Sequence, residues 1–176
     1  MPVLIDPPKP PPGILCDRRA ARLLEVLKMC GGAPEGAIAV LAPARYRALL
    51  RVLRGAGFVR RCWKPGAEEA FWCPACCQPP ASRDYEARCA LGWLGCRVLE
   101  AGGRIERIEG VAAAFFPKTG VRLPMRAVPP APPAAEAAVP GLAVVLPGGG
   151  ELIPRGWYFA RLGELKEGKL RLWKKT

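Results

Sequence analysis

Apolar residues recur at helical spacing in the first third of the chain. Ala20, Leu23, Leu24 and Leu27 share one face of a segment that follows Asp17, a residue type that caps helix N-termini. Glycine and proline residues separate the segments that come next. The pattern predicts, in order, helices at 18–30, 37–41 and 43–55 and strands at 58–63 and 70–73.

A longer helix is predicted in the second half of the chain, at residues 83–100. Tyr85, Cys89, Trp93 and Cys96 recur along one of its faces and are expected to lie in the core. Glycine-rich turns then separate several short runs of β-forming residues. These runs are at 104–108, 111–116, 121–128, 142–146, 157–161 and 169–173.

The order of these elements predicts an α+β fold with two domains. Residues 1–13 are expected to form a Pro-rich arm, and residues 14–80 follow the order of a winged helix-turn-helix. Residues 82–176 are expected to form an α+β domain with one long helix and a mixed or antiparallel sheet. The Pro/Ala-rich segment 129–140 is predicted to be a disordered-like loop within that domain.

Positive charge is concentrated in one part of the first domain. The formal net charge is +12, and residues 43–64 contain seven Arg or Lys side chains and no Asp or Glu. Within the predicted helix, Arg47, Arg51 and Arg54 follow i, i+4, i+7 spacing and form a stripe opposite an apolar face. A cationic stripe of this kind is typical of surfaces that bind a nucleic-acid backbone. We therefore predict binding of double-stranded DNA.

Eight residues in this window are predicted to contact DNA. Arg45 and Arg47, at the start of the helix, are placed to contact base edges. Tyr46, beside the stripe, is placed to pack on sugar or phosphate. The phosphate contacts are assigned to Arg51, Arg54, Arg60, Arg61 and Lys64.

Two other interpretations of the basic stripe remain open. In one, the stripe is a solvated helix face that binds nothing. In the other, the winged helix is a protein-interaction module and the C-terminal domain is a structural adaptor, with another protein or a second copy of the chain as partner. Burial of Arg47, Arg51 and Arg54 against the second domain would favour the module, whereas an exposed basic face would favour DNA.

The sequence also excludes several classes of function. It contains no histidine, so a His general base, a Ser-His or Cys-His pair and a His metal ligand are all excluded. Gly148, Gly149 and Gly150 are not followed by the Lys-Ser or Lys-Thr of a phosphate-binding loop. We therefore expect a protein that is not an enzyme.

The N-terminal segment and the hydropathy predict the location of the protein. The segment lacks the basic region of a signal peptide, and no stretch approaches the ~18 apolar residues of a membrane span. We expect a cytoplasmic protein without a membrane partner. The eight cysteines are then expected to be reduced thiols or metal ligands rather than disulfides.

The cysteines allow two interpretations. Cys73 and Cys76 have the C-x-x-C spacing of half a zinc site, and Cys62 lies across the predicted hairpin. With Cys77 or Cys89 as a fourth ligand, they would form a tetrathiolate site that stabilises the fold. No second C-x-x-C is present, and buried cysteines commonly act as small apolar residues. The prediction is therefore no metal, with zinc as the alternative.

Residues 17–73 resemble the winged-helix domain of the replication-relaxation family, whose members occur on bacterial plasmids and integrated mobile elements. The resemblance rests on the helix ending at Gly31-Gly32, the helix from Pro43 to Gly57, the junction 57–61 (GFVRR) and the hairpin returning through Phe71-Trp72. The following helix, 83–100, is similar in kind. The resemblance implies DNA binding that regulates replication, transfer or transcription of a mobile element. In such proteins the C-terminal region is sometimes nuclease-like in fold, and because this chain lacks a paired-carboxylate and lysine core there, a nuclease-like region would be expected to have no catalytic activity.

Overall fold

The structure, a computed structural model, describes residues 1–10, 13–108, 110–130, 132–168 and 170–176. Its helices are α1 (Arg18–Cys30), α2 (Glu35–Leu41), α3 (Tyr46–Gly55), α4 (Tyr85–Glu100), α5 (Ala134–Ala137) and α6 (Leu162–Lys166). A 3-10 turn spans Gly150–Leu152. In the part of the chain that the structure describes, no helix is long and apolar enough to cross a membrane.

The strands form two sheets. They are β1 (Leu4–Ile5), β2 (Ala33–Pro34), β3 (Val59–Trp63), β4 (Phe71–Pro74), β5 (Arg104–Ile108), β6 (Val111–Phe116), β7 (Val121–Val128), β8 (Leu142–Val145), β9 (Tyr158–Arg161) and β10 (Trp173–Lys174). The first sheet has the order β1-β3-β4-β2 and the second has the order β10-β9-β8-β7-β6-β5. Helices and sheets are interleaved along the chain, and the predicted α+β class is confirmed.

Helix α1 matches its prediction at both ends. The Asp17 side chain accepts hydrogen bonds from the backbone N–H groups of Arg19 and Ala20, at 2.8 and 3.1 Å. These bonds satisfy two of the donors that a helix N-terminus leaves unpaired. At the other end, Gly31 adopts a left-handed conformation with φ of 70°, which ends the helix.

Helix α3 begins three residues later than the sequence predicted. Proline at position 43 does not start it, because the chain makes a tight turn at the end of α2. The backbone N–H groups of Arg45 and Tyr46 both donate to the carbonyl oxygen of Ala42, at 3.0 and 2.9 Å. The helix then runs from Tyr46 to Gly55. Arg45 is therefore its N-cap residue and lies outside the helical stripe.

The first sheet is antiparallel, and the N-terminal arm is part of it. Leu4 pairs with Trp63 and Ile5 with Cys62, so the arm adds an edge strand beside β3. The Pro-rich arm predicted at residues 1–13 thus contributes a two-residue strand to this sheet. The arm's own backbone groups pair with the exposed edge of β3, and its Asp6 side chain accepts from the Arg61 N–H at 3.0 Å. Residues 11 and 12 lie outside the described residues.

The second sheet is mixed, which is one of the two alternatives, mixed or antiparallel, that the sequence predicted. Strand β8 is parallel to β7 and β9, and the other neighbouring pairs are antiparallel. Helix α4 lies between this sheet and the N-terminal helices. At Gly92 it crosses β2 closely, since a Cβ there would lie 2.7 Å from the Cα of Ala33 and the Cδ of Pro34. Gly92 therefore allows the two halves to pack together.

One continuous hydrophobic core joins the two predicted domains. It contains Leu24 from α1, Leu94 from α4 and Leu142 from β8, all buried. The boundary at residues 80–82 and the name winged helix remain predictions. The N-terminal elements do follow the predicted order of helix, helix, helix and hairpin.

Several details of the second half differ from the sequence analysis. Helix α4 begins at Tyr85 rather than at residue 83, and helix α6 was not predicted. A single helical turn, α5, lies within the Pro/Ala-rich loop. The last strand covers only Trp173–Lys174 rather than 169–173, and residue 169 lies outside the described residues. Short elements such as these are set by packing rather than by local propensity.

Candidate nucleic-acid interface

Helix α3 is oriented by its apolar face. Leu49, Leu50 and Leu53 are buried, with Leu53 fully inaccessible. Because these leucines must face the core, the opposite face of the helix points to solvent. Arg47 and Arg51 are exposed on that face.

The basic stripe of α3 borders a concave surface. A cavity of about 460 Å³ lies between this helix and the hairpin of β3 and β4. It is lined by Glu35, Arg47, Leu50, Arg51, Arg54, Arg61 and Trp72. Four arginines and one glutamate therefore line one space. We call these four arginines, Arg47, Arg51, Arg54 and Arg61, the α3 basic face.

Two members of the α3 basic face have acidic neighbours. Arg54 forms a fork-like ion pair with Asp6, whose two carboxylate oxygens lie 2.7 Å from Nε and Nη2. Arg47 lies 3.9 Å from a carboxylate oxygen of Glu35, at the limit of an ion pair, and its side chain is 76% exposed. The contact of Arg54 is therefore ordered, whereas that of Arg47 is loose.

The pKa of Asp6 reflects this environment. Burial raises the pKa of its carboxyl group, but hydrogen bonds from the Arg54 side chain and the Arg61 backbone N–H lower it. The net result is a pKa below the usual value for aspartate. Asp6 is therefore ionised at neutral pH and offsets one positive charge of the α3 basic face.

The other two members are unpaired. Within the described residues, the side chains of Arg51 and Arg61 form no ion pair, and both are exposed. Arg51 projects from the middle of α3, and Arg61 from β3 opposite Trp72. The guanidinium group of Arg51 is therefore available to an anionic partner without breaking an ion pair, and so is that of Arg61, although Asp6 also attracts the latter.

Arg45 and Tyr46 lie apart from this cavity. Arg45 borders a different groove, formed with α1 and the α2–α3 turn. The Tyr46 hydroxyl accepts a hydrogen bond from Nε of Arg47 at 2.8 Å, and the guanidinium lies 5.5 Å from the ring centroid. Tyr46 therefore orients Arg47.

The turn between β3 and β4, residues 64–70, is held against the second half of the chain. Lys64 pairs with Glu86 of α4 at 2.5 Å, and its side chain is only 21% exposed. The Tyr85 hydroxyl donates to the carbonyl oxygens of Cys62 and Glu69, at 3.2 and 2.8 Å. The predicted phosphate contact by Lys64 therefore competes with an ion pair inside the molecule.

Additional contacts fix the tip of the same turn. The indole N–H of Trp93 donates to the Glu69 carboxylate at 3.0 Å, and Lys166 of α6 pairs with Glu68. Because these contacts come from α4 and α6, the turn does not project away from the molecule.

Arg60 points toward the segment after β4. Its Nη2 donates to the carbonyl oxygen of Cys77 at 3.0 Å, and its Nε is buried without a partner in the described part of the chain. Arg60 also lines a neighbouring cavity of about 580 Å³, together with Asp6, Arg51 and Arg54. It supports the edge of the basic surface but is less accessible than Arg61.

The cysteines proposed as zinc ligands form two separate pairs. Cys62 and Cys73 are buried together, and a hydrogen bond between the thiols lowers the pKa of Cys62 and raises that of Cys73. The sulfurs of Cys76 and Cys77 lie 4.0 Å apart. Among the described residues, no group of three or more potential ligands is placed to hold a metal ion. The tetrathiolate site is therefore not assembled.

Sequence reasoning missed three residues of the candidate site. Asp6 lies 48 positions from Arg54, and Glu35 precedes the basic window, so a count within that window could not include them. Trp72 was assigned to the hairpin but not to the cavity that it lines.

A comparison of the chain with protein-family models, curated proteins and solved structures found no match.

Proposed function

We propose that the protein binds double-stranded DNA through the α3 basic face. The observation that supports this proposal most strongly is that four arginines, against one glutamate, line a single open cavity. Nucleic-acid backbones provide anions at regular spacing, and arginine binds phosphate in a bidentate manner. The unpaired side chains of Arg51 and Arg61 are the proposed primary phosphate contacts.

Arg47 has a separate proposed role. It lies in the first turn of α3, it is 76% exposed, and Tyr46 holds it by a hydrogen bond. A side chain near the start of a groove-binding helix is well placed to contact a guanine edge. Arg45 was assigned the same role, but its position beside another groove makes it a secondary candidate.

The interaction-module alternative is less well supported. Burial of the basic stripe against the C-terminal half would have favoured it, whereas Arg47 and Arg51 are exposed. We propose a binding protein without catalytic activity, located in the cytoplasm. Regulation of replication, transfer or transcription of a mobile element is the proposed role, and it rests on the family resemblance alone.

A titration of random duplex DNA at low and moderate salt tests the proposal. The test variant is Arg51→Ala/Arg61→Ala, and the matched control is Lys64→Ala, since Lys64 is a nearby cation that is already paired. Each phosphate contact contributes about 0.9 to the slope of log affinity against log salt. We therefore expect the slope of the double variant to fall by about two, with roughly tenfold or greater loss of affinity at low salt.

The Lys64→Ala control separates the loss of a specific contact from a general loss of positive charge. Lys64→Ala is expected to change affinity less than about twofold, because its ion pair with Glu86 already neutralises it. Absence of binding by the unmodified protein at low salt would refute the DNA proposal. A loss of log affinity in the double variant that is only twice the loss in the control, in proportion to the charges removed, would show that net charge, rather than this face, governs binding.

A further inference from the structure

A second concave surface lies on the other side of the α2–α3 turn. It is a groove of about 520 Å³ formed by α1, this turn and the C-terminal end of α4. Its lining residues are Arg19, Arg22, Leu23, Val26, Leu41, Ala42, Pro43, Ala44, Arg45, Leu49 and Leu99. Only Arg45 belongs to the predicted DNA contacts.

The walls of the groove are apolar. Leu23 and Leu49 are buried and belong to the hydrophobic core, whereas Val26, Leu41 and Leu99 remain partly exposed. Covering these partly exposed side chains would remove apolar area from water. Small-molecule sites have volumes of about 300–1,000 Å³ and are mostly apolar with a few placed polar groups. The groove fits this description.

The polar groups of the groove are three arginines. Arg19 and Arg22 extend from the first turns of α1, and Arg45 lies at the start of α3. Their guanidinium groups have no hydrogen bond or ion pair with any described residue, and all three side chains are exposed. No Asp or Glu lines the groove. The charge complementarity therefore favours an anion.

We propose that the groove binds a small amphipathic acid, with an apolar body and one anionic headgroup. The apolar body would lie against Val26, Leu41 and Leu99, and the headgroup would accept hydrogen bonds from the arginines. Carboxylate and phosphate headgroups share the required chemistry.

Arg45 connects this groove to the α3 basic face. It is the N-cap residue of α3, directly before Tyr46 and Arg47. An anion held by Arg45 adds negative charge beside the start of the helix that we propose to bind DNA. The ligand is therefore expected to weaken DNA binding, and this second step rests on the proposed function.

Calorimetric titration of the full chain tests the site directly. The probes are decanoate, decyl phosphate and the uncharged decanol. We expect one molecule of decanoate or decyl phosphate to bind per chain, with decanol about tenfold weaker because it lacks the charge-assisted hydrogen bonds. The two acids together distinguish a carboxylate ligand from a phosphorylated one, and binding of either supports the proposal.

Two variants locate the bound acid. Arg22→Ala removes a headgroup contact, and Ala44→Phe fills the groove from an exposed turn position. Both are expected to weaken binding by roughly tenfold or more. Arg155→Ala, an exposed arginine outside the groove, is the matched control and is expected to leave binding unchanged. Thermal unfolding of each variant verifies that the chain remains folded.

Three outcomes of the titrations would overturn the proposal. They are no binding of either acid, equal binding of decanol, and binding unaffected by both groove variants. A dimer that Ala44→Phe disrupts, without acid binding, would identify the groove as a contact between copies and also overturn it. Binding of an acid by a chain that does not bind DNA would support the groove site and refute only the proposed function.

Discussion

The α3 basic face and Lys64, the cation at the start of the β3–β4 turn, belong to the same basic window of the sequence but differ in the structure. On the α3 face, Arg51 and Arg61 are exposed and form no ion pair with the residues that the structure describes. In the turn, Lys64 is held by Glu86. The difference arises because α4 packs against the turn and leaves the α3 basic face uncovered.

This comparison shows that a count of charges in a window does not measure accessible charge. The acids that neutralise the basic window come from Asp6 in the arm and Glu86 in α4. Both lie outside residues 43–64, and each reaches its partner only when the chain folds. A basic segment therefore has to be judged by its neighbours in space.

The largest expected effect concerns the stability of the turn. Tyr85→Phe removes the hydroxyl that donates to the carbonyl oxygens of Cys62 and Glu69. Because Tyr85 is buried, we expect the free energy of unfolding to fall by about 1–3 kcal/mol. Urea denaturation measures this change.

A matched variant on the α3 basic face completes that test. Arg51→Ala is expected to change the free energy of unfolding by less than about 0.5 kcal/mol, since the side chain is exposed and unpaired. Equal destabilisation by the two variants would contradict the distinction between a structural turn and an available face.

A second prediction compares the acids of the two regions. Asp6→Asn releases Arg54 on the α3 basic face, whereas Glu86→Gln releases Lys64 in the turn. We expect Asp6→Asn to raise the affinity for duplex DNA by about two- to fivefold, as for a surface pair of up to about 1 kcal/mol. Glu86→Gln is expected to change it by less than about twofold. Titration of both variants with the same duplex at low salt measures the two changes in affinity. A larger gain in affinity for Glu86→Gln than for Asp6→Asn would assign DNA binding to the turn.

The smallest expected effect is the pH dependence of the arm contact. The pKa of Asp6 is lower in the folded protein than its ordinary value, so its ionised form stabilises the fold. This contribution is fully present above the unfolded pKa, near 4, and is lost as the pH falls through the lower folded pKa. We expect the unmodified protein to lose up to about 1 kcal/mol more than Asp6→Asn between pH 6 and pH 2.

Unfolding curves at both pH values provide the measurement. An identical acid dependence of the two proteins would show that the Asp6 contact contributes nothing to stability. Because both proteins contain all the other carboxylates, the difference between their pH dependences of stability isolates the contribution of Asp6.

The long elements of the fold were predictable from sequence, and the short ones were not. Helix α1 was predicted at its observed bounds because an Asp17 cap, a clear apolar face and Gly31 all indicate the same element. Strands β5, β6 and β7 also match. The arm strand β1 and helix α6 were missed, since their partners, rather than their own residues, determine their structure.

The candidate site was predictable only in part. Arg47, Arg51 and Arg54 follow helical spacing, so their common face was evident from the sequence. The inclusion of Arg61, and the separation of Arg45 and Lys64 from the site, depend on how the hairpin and the α2–α3 turn pack.

The sequence by itself determined the amphipathic helices, the α+β class and the excess of positive charge. These properties can be read from sequence because helical periodicity relates residues that are three or four positions apart, and net charge depends on composition alone. Only the tertiary structure decided which cations remain available, which acids neutralise the others and where the apolar groove lies. Those properties depend on distances between side chains that are remote in sequence, such as Asp6 and Arg54, and chain folding alone sets those distances.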